Sequence, residues 1–200
     1  MGKLFWKPGT LLYPVPVVLI GCGDTENVKN LITVAWAGTV ASDPVKVSVS
    51  IRPERYSYSL IKASGEFTVN LPHRGMVRAV DFCGVKSGKD VDKFQLTGLT
   101  PERGKTVKAP LIVEAPLTLE CRVEKIIPLG SHDLFIARVG GVQVDETLLD
   151  PNGRLNLGRA NLLTYVHGHY WTLREPIGSF GFSVKKTVKK GSVHSKGKRC

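Results

Sequence analysis

Two stretches of this chain alternate apolar and polar residues with a period of two, a pattern that only an extended strand sorts onto two faces. In the first, Val45, Val47, Val49 and Ile51 interleave with Lys46, Ser48, Ser50 and Arg52. In the second, Leu117, Leu119, Cys121 and Val123 interleave with Thr118, Glu120, Arg122 and Glu124. Strands with one buried and one polar face belong to antiparallel sheets, because parallel sheets are covered on both sides.

The rest of the chain continues in the same vein. Residues 15–20 form a β-branched apolar run that Gly21 is expected to end. Residues 31–37, 66–71 and 134–144 also read as strands. In the last of these Phe135, Ala137 and Val139 share a face while Val142 and Val144 have changed parity, which puts a β-bulge at Gly140-Gly141. Helical spacing is confined to residues 57–64 and 76–83, where Met76, Val77, Val80 and Cys83 fall on one side. A chain of 200 residues with no internal repeat and no linker makes one domain. Many strands, hairpin turns and few helices predict an antiparallel barrel and not a doubly wound sheet. No G-x-G-x-x-G opens a helix after a strand, and there is no P-loop, so neither phosphate-binding fingerprint is present.

The charge has to be located before it is interpreted. The chain carries 28 basic and 17 acidic side chains, a formal +11. Seven of the cations (Lys185, Lys186, Lys189, Lys190, Lys196, Lys198 and Arg199) lie in residues 185–200, leaving only +4 for residues 1–184. The tail has no aromatic residue for base stacking, so it is expected to be a disordered basic end and not a specific nucleic-acid module. No apolar run approaches the ~20 residues of a membrane span. Cys22, Cys83, Cys121 and Cys200 are far apart and lack zinc spacing, which fits free thiols in a cytoplasmic setting. The run ending Leu19-Ile20-Gly21-Cys22 imitates a lipoprotein cleavage site, but Pro14 and Pro16 break it.

Two segments could hold a phosphate. Ser48, Ser50 and Arg52 share one face of their strand, and Tyr56, Ser57 and Ser59 follow where a helix begins. A helix N-terminus beside a guanidinium is an anion site; the same pattern also describes the wet face of an edge strand. The second segment is Ser87-Gly88-Lys89-Asp90-Val91-Asp92-Lys93-Phe94, a glycine turn with two lysines that could equally be a solvated loop anchored by Phe94. His167 and His169 flank Gly168 and would share a face on a strand, but no third metal ligand can be named. Cys83 reads as a small buried residue or a redox-sensitive thiol.

The segment Asn30-Leu31-Ile32-Thr33-Val34-Ala35-Trp36-Ala37-Gly38 resembles the N-x-x-T-V-A-W-x-G strand of flavoredoxins and related flavin reductase-like proteins. The resemblance continues in the same order through VSVSIRPERYSYSLI (47–61), GEFTVNLP (65–72), SGKDVDKFQLTGLTP (87–101) and APLTLECRVEKI (115–126). It covers roughly residues 10–147, with a weaker echo at Tyr170 and residues 179–186.

This resemblance implies a mainly β fold over residues 1–184, a six-stranded antiparallel Greek-key split barrel with a few peripheral helices, working as a homodimer with FMN at the subunit interface. Carried across by motif, Thr33, Val34, Ala35, Trp36, Ser48, Ser50 and Ile51 border the ring or ribityl chain. Arg52, Tyr56, Ser57 and Lys93 serve the phosphate end with Ser87 nearby, and His169 or Tyr170 is placed to meet a nicotinamide. The implied function is a cytoplasmic FMN-dependent oxidoreductase passing electrons from NAD(P)H or a redox partner to a small-molecule or protein acceptor. The alternative is a flavin-binding electron carrier or redox sensor without turnover. Neither requires a catalytic acid, base or nucleophile, and no Ser-His-Asp or paired-carboxylate constellation is visible.

Overall fold

The computed structural model describes residues 1–184; the predicted basic tail, 185–200, lies outside the described residues. The elements run β1 (Val15–Pro16), β2 (Val18–Gly23), β3 (Lys29–Val34), β4 (Ala37–Ser42), β5 (Val45–Ile51), α1 (Tyr56–Ser64) and β6 (Glu66–Leu71). Next come α2 (Val77–Val85), α3 (Lys93–Thr97), β7 (Pro101–Arg103), β8 (Pro110–Ile112), β9 (Leu117–Pro128), β10 (Asp133–Val144), β11 (Leu163–Val166) and β12 (His169–Thr172).

Seven strands form one antiparallel sheet in the order β3-β2-β6-β9-β10-β5-β4, so the expected count of six is corrected to seven, and no ladder joins β3 to β4 to close it. The additional strand arises at a bend. The run predicted as one strand over 31–37 stops at Val34, turns through Ala35 and Trp36, and restarts as β4, which pairs with β5. The bend stays close to β5, because the Ser50 N–H donates to the Trp36 carbonyl at 2.9 Å. With β10 on one side and β4 on the other, β5 is not an edge strand, and its polar face needs another explanation.

The sheet curls around a single apolar cluster. Ile20, Ile32, Val49, Phe67, Cys121 and Phe135, from strands spread across the sheet order, meet Ile61 of α1 in it. Full burial of each large side chain stabilises the fold by about 1.5–3 kcal/mol. A second cluster lies outside, where Val17, Leu19 and Leu31 pack against Val80 and Cys83 of α2, Phe94 of α3, and Ile112 of β8. Burial on both faces is why β2 reads as a continuous apolar run and not an alternating one. Gly21 does not end that strand, which continues to Gly23.

The bulge at Gly140-Gly141 is present as a register shift between Val139 and Gly141, with another between Ile136 and Ala137. The helix predicted over 76–83 begins instead with a 3-10 turn at Arg74–Met76 and continues as α2. His167 and Gly168 have φ of 43° and 88° and form the turn between β11 and β12. The two histidines therefore do not alternate on one strand, and the shared face imagined for a metal pair does not exist. Among the described residues no helix is long and apolar enough to cross a membrane.

Glu120, on the outward-facing side of β9, is 1% exposed. Its carboxylate accepts from the Lys105 N–H (3.1 Å), the Thr106 N–H and hydroxyl (2.5 and 2.7 Å) and Gln143 Nε2 (2.7 Å). Burial pushes its pKa up, but these hydrogen bonds outweigh burial and bring it from 4.5 down to about 2. A depressed folded-state pKa contributes stability that is complete above 4.5 and lost as pH falls through about 2. Thermal melts between pH 7 and pH 2 should thus show a falling melting temperature across that window, with the slope reduced in Glu120→Gln. An equal slope in the variant would assign the acid sensitivity to other carboxylates.

Candidate functional site

The bend after β3, the end of β5 and the start of α1 enclose two adjoining cavities. Across the first, of about 160 Å³, Thr33, Val34, Ala35 and Trp36 face Ser50, Ile51 and Arg52, with Ile32, Arg55 and His132 completing the lining. The second, of about 190 Å³, brings Tyr56 and Ser57 of α1 together with Ser87 and Lys93. Asn30, Glu54, Cys83, Lys86 and Gly88 also line it, and Ile32 and Arg55 belong to both cavities. The predicted site residues therefore converge, with Ser48 as the exception: it lies further along β5, opposite Ile136 and Gly38, outside both linings. Arg52 lines the first cavity, and Arg55 stands between the two.

A larger open groove of about 850 Å³ runs along α2 and α3, where Asp81, Phe82, Val85, Leu96 and Tyr170 line it. Size does not make it the better site. Converging polar groups mark a binding pocket, and they are gathered in the two smaller cavities.

Lys93 is the most informative side chain in the second cavity. It is 4% exposed, and its Nζ donates to the Leu31 carbonyl at 2.7 Å and the Cys83 carbonyl at 2.9 Å. An ammonium has three hydrogens; among the described residues the third has no acceptor, and no carboxylate lies within ion-pair distance. Burial pushes the Lys93 pKa down, Cys83 and Cys22 oppose the shift, and Arg55 adds to it. A buried cation without a counter-charge is costly, and an anion in the cavity would remove that cost. The one carboxylate in the lining, Glu54, sits 3.6 Å from Arg52.

The rest of the cavity fits the same ligand. No side chain caps the N-terminus of α1 and no acidic residue occupies its first turn, so its leading N–H groups and dipole are open to an anion. The buried Ser57 hydroxyl lines the cavity, accepts from Asn30 Nδ2 at 2.8 Å and hydrogen-bonds with Cys22. Asn30 is in turn pressed by the 87–93 loop: a Cβ on Gly88 would lie 2.1 Å from Asn30 Oδ1. Only glycine lets that loop close so tightly. In the first cavity, Thr33 Oγ1 donates to the Val80 carbonyl and ties β3 to α2. Cys83 is a buried free thiol pushed up to about 11 by burial, with Lys93 opposing, so it is protonated and inert at neutral pH.

Several lining residues are not among those singled out in the sequence: Asn30, Arg55, Lys86 and His132. Asn30 opens the 30–38 motif but lines the second cavity and not the first. Arg55 becomes visible as the N-cap only when α1 is seen to start at Tyr56 and not at Ser57. His132 lies in a hairpin turn distant in sequence from the other groups. Tyr170 faces the α2–α3 groove and donates to Asp81 Oδ1 at 3.1 Å.

The flavin reductase like domain matches residues 10–174. An uncharacterized protein of Archaeoglobus fulgidus is 34% identical over 145 residues, 72% of this chain and 81% of its own length. Among solved structures, the flavoredoxin of Desulfovibrio vulgaris (Miyazaki F) is similar with a TM-score of 0.85 at 32% identity, covering 92% of this chain and 100% of its own. The FMN-binding protein of Thermus thermophilus, solved with bound 1-cyclohex-2-enone, gives a TM-score of 0.75 at 27% identity, covering 90% and 98%.

Proposed function

The chain belongs to the flavin reductase like domain family, and from that premise we propose that it binds FMN and works as a flavin-dependent oxidoreductase. The observation that carries this reading is the buried, carboxylate-free Lys93 in a cavity that also holds the open end of α1, Ser57, Arg55 and Lys86. These are the groups a terminal phosphate needs. The adjoining cavity, bordered by Thr33 to Trp36 and Ser50 to Arg52, takes the ring and ribityl chain. The likeness to an FMN-binding protein and to a flavoredoxin supports FMN as the flavin.

Bound flavin supplies the hydride and electron-transfer chemistry. The chain's own residues bind and orient. Lys93 and Arg55 neutralise the phosphate, Ser57 lies beside it, and Trp36 offers an apolar edge to the ring. NAD(P)H or a redox partner is the electron source in this proposal, and a small molecule or protein the acceptor. The working unit is a homodimer: Leu4, Phe5, Trp6, Leu11 and Leu12 are exposed in the single chain, an apolar strip that a second copy would cover.

FMN titration followed by flavin fluorescence tests the site. Arg55→Ala should weaken FMN by about 1.5–3 kcal/mol, the range for a charge-assisted hydrogen bond; unchanged affinity would remove Arg55 from the anchor. Anaerobic mixing of the loaded protein with NADH or NADPH then tests the activity. Repeated bleaching and recovery with an acceptor supports a reductase, whereas bound flavin that ignores both nucleotides supports the carrier or sensor. A chain that cannot be loaded with FMN overturns the proposal.

A further inference from the structure

A line of aromatic rings leads out of the ring-side cavity. Trp36 lines that cavity, and its ring centroid lies 6.4 Å from that of Tyr13. Tyr13 is 6.1 Å from Tyr165, and Tyr165 is 5.8 Å from Tyr170. Tyr170 lines the open α2–α3 groove and donates its hydroxyl to Asp81 Oδ1 at 3.1 Å. All three separations fall within the 4.5–7 Å typical of interacting aromatic pairs.

Sheet register builds this line. Tyr165 and Tyr170 are direct cross-strand partners in the β11–β12 hairpin, so their side chains share a face. Val15 of β1 pairs with Tyr165 on its other side, and Tyr13 lies just before β1, across the cis Tyr13–Pro14 bond, with its ring against that of Tyr165. The Ala35–Trp36 bend then brings the Trp36 ring against Tyr13. Packing alone accounts for apolar rings here, but leucine or phenylalanine would serve packing as well. Tyrosine and tryptophan are the side chains that give up an electron most readily among those that pack this way, and they occupy every step.

We propose that Trp36, Tyr13, Tyr165 and Tyr170 form a relay that carries one-electron oxidising equivalents from the flavin cavity to Tyr170, beside Asp81 at the surface groove. The inference rests on the FMN reading above. The oxidant is light-excited oxidised flavin in the ring cavity. Trp36 loses one electron to it, Tyr13 refills Trp36, Tyr165 refills Tyr13, and Tyr170 refills Tyr165. Tyr170 finishes one electron short, and its hydroxyl proton passes to the Asp81 carboxylate. The electron resides on the flavin, the proton on Asp81 and a neutral radical on Tyr170, so charge and atoms balance. Tyr170 is the step suited to hold the radical, because a carboxylate already accepts its hydrogen. The same burial and hydrogen bond push its pKa up to about 12, so the phenol holds its proton until it is oxidised. Reduced flavin in its ground state cannot send electrons out along closed-shell rings, since adding one to an aromatic side chain is far harder than removing one. The relay is thus an exit for oxidising equivalents that would otherwise attack the cofactor pocket.

Illumination of the FMN-loaded protein without oxygen, read by electron paramagnetic resonance and flavin fluorescence, tests the relay. The parent chain should give a tyrosyl radical. Tyr170→Phe keeps the ring but removes the oxidisable hydroxyl, and the Tyr170 radical should be lost. Tyr165→Phe breaks the line one step earlier and should also leave Tyr170 unoxidised. Neither residue lines the two flavin cavities, so both variants should bind FMN as the parent does. A parental radical yield in both variants overturns the relay. Bound FMN with no tyrosyl radical in the parent also overturns it while leaving the FMN reading standing. Absence of bound FMN overturns both.

Discussion

Lys93→Met is expected to lose FMN affinity and fold stability together. Removing a charge-assisted hydrogen bond to the phosphate should cost about 1.5–3 kcal/mol of binding, a drop of roughly ten- to a hundredfold. The stability loss has a separate origin. Cys83 lies in the last turn of α2, where a carbonyl has no N–H one turn further along the helix. The Lys93 ammonium fills that gap and also accommodates the negative end of the helix dipole. Methionine matches the stem but leaves the carbonyl buried and unpaired, at a cost of about 1–3 kcal/mol, with a further loss at the Leu31 carbonyl. Thermal melts with and without FMN separate the two effects. The apo melting temperature should fall, and the rise that FMN gives the parent should be largely absent. A variant with parental FMN affinity would take the cation out of the site and remove the main support for a phosphate there.

How far this site could be read from the sequence depended on where its residues act. The alternation in β5 put Ser50 and Arg52 on one face, and that face does border the ring-side cavity. The 66–71 strand, the bulge at Gly140-Gly141 and the start of α1 within one residue were equally plain, because each is set by local periodicity or by a glycine pair. Lys93 was legible as a cation in a glycine loop but not as a buried one; its burial depends on β3 and α2 closing over it. The seventh strand was hidden by composition. Residues 31–37 are apolar apart from Thr33, so nothing in them distinguishes a continuous strand from one that bends at Ala35 and restarts, and the hydrogen bond from Ser50 to Trp36 that marks the bend is not local. Asn30 was invisible for the same reason, since its partners Ser57 and Gly88 come from two other segments.

Gly21 was misread, and its true role predicts a large stability loss from a single methyl group. Its backbone sits in the middle of β2, paired with Leu31 on one side and Thr68 on the other. A Cβ there would lie 2.0 Å from the Pro110 carbonyl oxygen and 2.5 Å from Thr68 Oγ1. Neither can step aside cheaply. Thr68 donates to that same Pro110 carbonyl at 2.5 Å, and β8, which begins at Pro110, is tied down where the Ile112 N–H donates to the buried Asn70 Oδ1 at 2.9 Å. Asn70 also accepts from Thr118 and donates to the Leu19 carbonyl, so moving β8 disturbs a network spanning β2, β6 and β9. Gly21→Ala should therefore cost at least about 3 kcal/mol, the upper end for overpacking, because backbone and not a flexible side chain must move. Gly38→Ala is the control: its Cβ would meet nothing within 4 Å, and the loss of unfolded-chain freedom should leave stability unchanged or raised by about 0.4–1 kcal/mol. Urea denaturation of the two variants decides the matter. Equal midpoints would mean that β8 does not pack against β2 in solution, and the outer apolar layer that holds α2 and Lys93 in place would have to be redrawn.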